Sequence, residues 1–339
     1  MCRIRNLIAV VAIMACALTA ACSGGGGSPG NDTLAQSQPI ATPLPNNYPE
    51  ADPAALGSNT PVFATGNMTL GNMAVGTVLP LRQSIVLFTN SGVVPFPYAE
   101  AGGATLTYKG TQTVNGVTGP VFDLNVPKMA IDQTLLPDGT GGPCCGFNDV
   151  NGKVNLLNYT MTGAWNAVND GTTCSVCTSM FVTGFQTPSA NVPASGQATF
   201  LGSGGSGSVS GNLYTATFAA QTGTITGSSS SFAVNFNNGQ VTGTLSGLKA
   251  TPISTAGVEG TPQDWNQINI TGSLSGAVLS GTTSTPSQPA GSLGFAPNST
   301  GTIGGALFGP NAQELGAVWS LQDPAGSKTA FGVVSATKQ

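Results

Sequence analysis

The residues best suited to chemistry in this sequence are cysteines in two close sets, Cys144 with Cys145 and Cys174 with Cys177. The sequence has seven cysteines, and these four remain once those of the N-terminal segment up to Cys22 are set aside. In an exported chain an even number of cysteines favours disulfides, and a bond between adjacent cysteines would be strained. We therefore expect two disulfides joining "PCCG" to "CSVC", each closing a loop of about 30 residues and contributing on the order of 3–4 kcal/mol. A Cys₄ zinc site and a redox-active CxxC are the alternatives.

Other catalytic groups are scarce. The chain has no histidine, which excludes Ser-His-Asp and Cys-His catalysis, zinc sites that use histidine, and His-ligated haem. A Ser-Lys pair or two carboxylates would remain, but only 6% of residues are charged. "GSGGSG" (202–207) satisfies GxGxxG, yet a strand pattern follows it instead of a helix. We expect a protein that is not an enzyme and holds no cofactor.

The N-terminal segment has the pattern of an export signal. In "MCRIRNLIAVVAIMACALTAAC" two arginines precede an apolar run from Leu7 and then small residues, which is typical of a signal peptide over 1–21. "LTAAC" resembles a bacterial lipobox and predicts that Cys22 carries the lipid anchor. The alternatives are the weaker "IMAC" at 13–16 and cleavage without lipid. Ser23 after the cysteine favours the outer membrane.

The segment 22–60 follows as the lipid anchor and a flexible tether. It opens with "SGGGGS" and continues with scattered prolines and no hydrophobic periodicity. The net charge of the chain is −4. No basic patch is available for phosphate backbones, so nucleic acid is not an expected partner.

Two β-rich parts follow the tether. From 61 to 190 we predict a smaller handle-like domain with a strand over "QSIVLF" (83–88) and a hairpin turning at Asn115-Gly116. From 191 to 339 we predict an antiparallel barrel of about eight strands. There "SFAVNF" (231–236) alternates apolar residues on one face before a turn at "NNG".

A glycine motif recurs in the predicted barrel. "GSVSG", "GTITG", "GTLSG", "GSLSG" and "GTIGG" all place glycines around an aliphatic or small residue. Glycine weakens a strand unless the sheet bends sharply or another backbone comes close, and a narrow barrel requires both. We expect the aliphatic residue to point inward while its glycines relieve crowding.

Three stretches carry a family resemblance: "FVTGFQTPSANVPASGQATFLGS" (181–203), "GTIGGALFGPNAQELGAVW" (301–319) and "AFGVV" (330–334). They resemble the β-barrel domain of transferrin-binding protein B and its single-lobe relatives. The resemblance implies an all-β lobe with a handle and a barrel, in a non-enzymatic surface lipoprotein of the outer membrane that faces the cell exterior. It also implies export by a surface lipoprotein assembly modulator.

For function, the resemblance implies capture of a protein or a haem or iron ligand and delivery to an outer-membrane transporter. Because this chain has room for one lobe, transferrin is not carried over as the ligand. The alternative is a structural, adhesive or host-interaction lipoprotein without a small-molecule ligand. The long loops 248–264 and 281–300 are the candidate contact surfaces.

The most specific piece of the resemblance is "FGPNAQELG", with Phe308, Gly309, Pro310, Glu314 and Gly316 as its structural motif. Locally, the proline can open a short helical turn and the last glycine can end it. We predict a structural connector between two barrel strands. Glu314 has no partner carboxylate at a defined spacing, so a catalytic role is not expected.

Overall fold

The computed structural model of the protein confirms the all-β fold. It describes residues 69–81, 83–88, 97–99, 105–126, 131–138, 149–168, 176–203, 210–215, 222–226, 229–253, 260–289, 293–325 and 328–339. Within these residues the regular elements are strands, apart from two 3₁₀ turns at Leu70–Asn72 and Ser189–Asn191.

The first part of the chain forms two antiparallel sheets. A four-stranded sheet has the order β1-β4-β5-β6, and a five-stranded sheet has the order β3-β2-β9-β8-β7. The strands are β1 (Val78–Pro80), β2 (Gln83–Phe88), β3 (Pro97–Ala99), β4 (Thr105–Val114), β5 (Val117–Val126), β6 (Ile131–Leu135), β7 (Asp149–Leu156), β8 (Thr160–Val168) and β9 (Val176–Gly184).

Both local predictions for this part are confirmed. The "QSIVLF" strand is β2. The predicted hairpin joins β4 to β5, with Asn115 at φ 50° and Gly116 at φ 79°. Two successive positive φ values match the twist of the flanking strands, and Asn-Gly is the pair that tolerates them best.

The second part of the chain forms one twelve-stranded antiparallel sheet. Its strands are β10 (Gln197–Ser203), β11 (Ser210–Thr215), β12 (Thr222–Thr226), β13 (Ser229–Asn235), β14 (Gln240–Ser246), β15 (Lys249–Ile253), β16 (Gln263–Asp264), β17 (Ile268–Ser275), β18 (Val278–Ser284), β19 (Thr300–Phe308), β20 (Glu314–Gln322) and β21 (Lys328–Lys338).

These twelve strands make an eight-stranded closed barrel, because the pairing register continues across interruptions. Thr226 of β12 pairs with Lys249 of β15, and three residues further along Ser229 of β13 pairs with Ser246 of β14. The interrupted partners β10/β11, β12/β13, β14/β15 and β16/β17 therefore act as single strands, which leaves eight. β21 closes the barrel by pairing with β10 and β11 as well as with β20. The predicted eight-stranded barrel is confirmed.

The barrel interior is filled with side chains. The "SFAVNF" residues Phe232 and Val234 point inward and are 0% and 1% exposed. In "GTLSG" the central Leu245 is also buried, as the motif predicts. A Cβ added at Gly243 would lie 2.7 Å from Cδ1 of Phe232, so this glycine makes room for an interior ring.

The five-stranded sheet covers part of the outer barrel wall. Barrel side chains that point outward from β19, β20 and β21, including Phe308, Val318 and Phe331, are buried in one cluster with Val182 of β9. Tyr159 packs against this cluster. As a result β20 is buried on both faces along eight of its nine residues.

Candidate binding surface

The barrel has two dissimilar ends. One end, the turn end, carries the short turns 236–239, 276–277 and 309–312. The opposite end, the loop end, carries the longer connections 254–262 and 285–299. Long connections on a rigid scaffold are where proteins usually place contact surfaces, so the loop end is the candidate binding surface.

Both predicted contact loops lie at the loop end, but the structure shortens them. Residues Lys249–Ile253 are strand β15 and Gln263–Asp264 are β16, so the first loop shrinks to 254–262. β18 continues to Ser284, so the second loop is 285–299. The expectation that 248–264 and 281–300 lack strand is therefore wrong at their edges, because these residues pair with barrel neighbours. Residues 254–259 and 290–292 lie outside the described part.

The connection 285–299, which we call the strap, is tied to the barrel. Asn266 Nδ2 donates to the carbonyl oxygens of Ser287 (2.7 Å) and Phe295 (2.9 Å), and its Oδ1 accepts from the Phe295 N–H (2.8 Å). Trp265 Nε1 donates to the Leu293 oxygen at 3.1 Å. Lys328 Nζ donates to the Gly294 oxygen at 2.6 Å. The described residues of the strap are therefore anchored to the barrel.

An aromatic cluster lies beneath the strap. Trp265 packs edge-on against Phe295 with ring centroids 5.3 Å apart, and it lies 6.3 Å from Trp319. Trp265 is 5% exposed and Trp319 is 0% exposed. Both tryptophans fill the core, so what the strap offers a partner is the exposed, uncharged set Pro286, Ser287, Gln288, Pro297 and Asn298.

At the turn end, Glu314 joins the barrel to the five-stranded sheet. Its Oε1 accepts from the Asn158 N–H (3.0 Å), and its Oε2 accepts from the N–H groups of Tyr159 (3.0 Å) and Thr160 (2.8 Å). The residue is 2% exposed. Burial raises the pKa of the Glu314 carboxyl above its ordinary value, while the three backbone donors oppose that rise. This carboxylate acts as a hydrogen-bond acceptor for a turn.

The rest of the "FGPNAQELG" motif lies in the β19–β20 connection. The predicted helical turn is wrong: residues 309–312 form a tight turn in which Gly309 (φ 86°) and Ala312 (φ 56°) have left-handed backbones. Phe308 ends β19, Pro310 lies in the turn, and Glu314 opens β20. Gly316 lies inside β20, where an added Cβ would lie 2.5 Å from Cγ2 of both Thr160 and Val182. The motif fits the barrel against the neighbouring sheet.

Several predicted site residues fall outside the description. Cys22, Cys144, Cys145 and Cys174 are not among the described residues, and Cys177 lies in β9, where it pairs with Phe88 of β2 and Ala167 of β8. The lipid anchor and the two disulfides stay predictions. Within the described ranges, no group of three or more His, Cys, Asp or Glu residues is arranged to hold a metal ion.

A pocket of about 420 Å³ lies on the barrel wall near the turn end and has no charged lining residue. It is lined by Gln197, Ala198, Thr199, Ala233, Val234, Asn235, Gln240, Thr242 and Gln339.

In the part of the chain that the structure describes, no helix is long and apolar enough to cross a membrane.

Sequence reasoning missed Asn266 and the partners of Glu314. Asn266 follows Trp265 in a stretch without strand pattern, and a lone Trp-Asn pair is the only local signal for the strap contact. Glu314 finds its donors more than 150 residues away, at Asn158, Tyr159 and Thr160. Nothing local in the sequence points to that turn.

Comparison with known proteins supports the barrel assignment. Residues 192–338 match the family model for the C-lobe and N-lobe β-barrels of transferrin-binding protein B (Tf-binding protein B), which confirms the predicted resemblance for this part of the chain. No curated protein matches the sequence.

Solved structures of similar proteins have low identity. Transferrin-binding protein B from Neisseria meningitidis serogroup B is 18% identical with a TM-score of 0.38, covering 78% of this chain and 44% of that one. A double mutant of the Haemophilus parasuis protein is 15% identical (TM-score 0.39), covering 79% and 46%. The haemoglobin receptor HpuA from Kingella denitrificans is 16% identical (TM-score 0.35), covering 83% and 93%. The chain spans about half the length of the first transferrin-binding proteins it matches.

Proposed function

Because residues 192–338 match the barrel family of transferrin-binding protein B, we propose that this chain is a non-enzymatic lipoprotein of the outer membrane that captures a ligand at the loop end. Cys22 carries the lipid, 22–60 is the tether, 61–190 is the handle and 191–339 is the barrel. The lobe faces the cell exterior. An assembly modulator exports it, and an outer-membrane transporter receives the ligand.

One observation carries this proposal: the longer connections of the barrel lie at the end opposite the entering chain. Leu70, at the start of the described part, donates its N–H to the Asn158 oxygen at 2.7 Å. Asn158 is in turn bonded to Glu314 at the turn end. A tether that enters there leaves the loop end pointing away from the membrane and accessible to a partner.

The proposed ligand class is an iron-carrying host protein or haem itself. This class comes from the family name and from the haemoglobin receptor among the similar structures, which was crystallised with human haemoglobin. The exposed strap residues are uncharged, and Ser287, Gln288 and Asn298 among them have hydrogen-bonding side chains, which suits a neutral protein surface. Transferrin is one member of this class, and it is not singled out as the ligand of this chain.

The test uses the purified chain without its lipid, titrated with haemin by absorbance and with human haemoglobin by biolayer interferometry. Saturable binding of either probe supports the proposal. Gln288→Arg places a bulky charge at the loop end and should weaken binding at least tenfold. Asn311→Arg, an exposed amide at the turn end, is the matched control and should bind as the parent does.

The proposal fails if the folded chain binds neither probe, or if both arginine variants bind equally well. The first result would favour the structural or adhesive alternative. The second would move the contact surface away from the loop end.

A further inference from the structure

Three separate stretches of chain meet at one short turn between β7 and β8. The Leu70 N–H donates to the Asn158 carbonyl oxygen (2.7 Å), and the Phe185 N–H donates to the Tyr159 carbonyl oxygen (2.9 Å). The N–H groups of Asn158, Tyr159 and Thr160 donate to Glu314, whereas the Leu157 N–H donates to the Thr160 oxygen (2.8 Å). Leu70 belongs to the entering segment, Phe185 to the linker before the barrel, and Glu314 to barrel strand β20.

The contacting side chains are buried, although the turn itself is partly open to solvent: Asn158 is exposed and Tyr159 is half-buried. Leu70 is 3% exposed, Phe185 is 2% exposed and Glu314 is 2% exposed. Thr160 is 0% exposed, so water is a poor substitute partner for its N–H if the carboxylate is removed, and unpaired buried backbone groups are unfavourable. Losing one contact should loosen the turn itself and with it the carbonyl groups that hold the other two segments.

We propose that Glu314 is a positioning residue that couples the entering segment, the linker before the barrel and barrel strand β20, so that these three contacts open and close as one unit. The coupling keeps the loop end directed away from the entering segment. That directional consequence rests on the proposed function, whereas the coupling does not and can be tested alone.

The first experiment is hydrogen–deuterium exchange on the full chain with residue-level readout. Glu314→Gln keeps the shape but places an amide donor beside backbone donors. We expect amide exchange at 158–160 to rise at least tenfold, and exchange at Leu70 and Phe185 to rise with it. Barrel-core amides such as Val241 should stay within twofold. Asp264→Asn, an exposed carboxylate on the barrel, is the control and should change none of these.

A rise confined to 158–160, with Leu70 and Phe185 unchanged, would overturn the coupling and leave Glu314 a local support. So would unchanged exchange at all five positions. If barrel-core amides also exchange faster, Glu314→Gln disturbs the whole fold, and a second pair of variants decides.

That second pair acts from the opposite side of the turn. Leu70 is the first residue of its 3₁₀ turn and Thr69 before it is extended (φ −124°, ψ 166°), so the proline backbone fits there; Leu70→Pro removes the N–H and also replaces the buried leucine side chain. Leu70→Ala loses the side chain but keeps the N–H. The coupling predicts faster exchange at 158–160 in Leu70→Pro than in Leu70→Ala by at least fivefold. Equal exchange in the two variants would overturn it.

Discussion

Two opposing effects act on the single carboxylate of Glu314. Burial favours its neutral form, and three backbone donors favour its ionised form; burial is the larger effect, so the pKa is raised. A group whose pKa is higher in the folded than in the unfolded chain contributes stability that is fully present below the unfolded pKa. That contribution is lost as pH rises through the folded value.

We therefore expect the difference in unfolding free energy, parent minus Glu314→Gln, to increase as the pH falls from 8 to 4.5. Urea unfolding followed by circular dichroism at several pH values measures this difference. If this difference decreases on acidification instead, the three N–H donors outweigh burial and the pKa of Glu314 is lowered.

Gly316 lets β8 and β9 lie directly on β20. Gly316→Ala adds a methyl group 2.5 Å from Cγ2 of Thr160 and of Val182, and overpacking of this kind costs about 1–3 kcal/mol. Thermal unfolding of Gly316→Ala, Val182→Ala and the double variant forms a mutant cycle. The double variant should lose less stability than the sum of the losses of the two single variants. Simple additivity of the losses would show that the two residues do not compete for space.

At the scale of elements, the strap is held by one side chain more than by any other. Asn266→Ala removes one acceptor and two donated bonds, which should cost about 1–3 kcal/mol. We expect the strap to detach locally and the Trp265 and Trp319 fluorescence to become accessible to acrylamide. Asn269→Ala, which loses one exposed bond to Gln267, is the control and should leave quenching unchanged.

Sequence patterns predicted those elements whose cause is local. Phe232 and Val234 alternate within one strand, and Asn115-Gly116 supplies its own positive φ values, so both predictions hold. The helical turn after Phe308 failed because Gly309 and Ala312 take left-handed backbones that a right-handed helix does not allow. The Glu314 contact could not be predicted, because its partners are distant in sequence and share no repeating pattern with it.

At the scale of the whole molecule, the surface has little charge. The net charge is −4, and only 6% of the residues are charged; ion pairs among the described residues include Lys109–Asp123 and Lys249–Asp264. Association without electrostatic steering has a rate constant of roughly 10⁵–10⁶ M⁻¹s⁻¹ and depends weakly on ionic strength.

If the proposed capture occurs, its association rate should change less than about twofold between low and high salt. Stopped-flow or interferometry measurements at several salt concentrations check this. Gln288→Arg should introduce a salt dependence that the parent lacks. A steep dependence in the parent would point to a contact surface that contains the charged residues.

The junction at the turn end also brings the two limits of the described chain together. Leu70 touches Asn158, Asn158 touches Glu314, and the Lys338 N–H donates to the Gln313 oxygen at 2.7 Å. A short peptide could therefore join residue 339 to residue 69, and the chain could be reopened between β20 and β21 at 324–325. Such a circular permutant would keep every strand pairing of the barrel while moving both ends to the opposite pole.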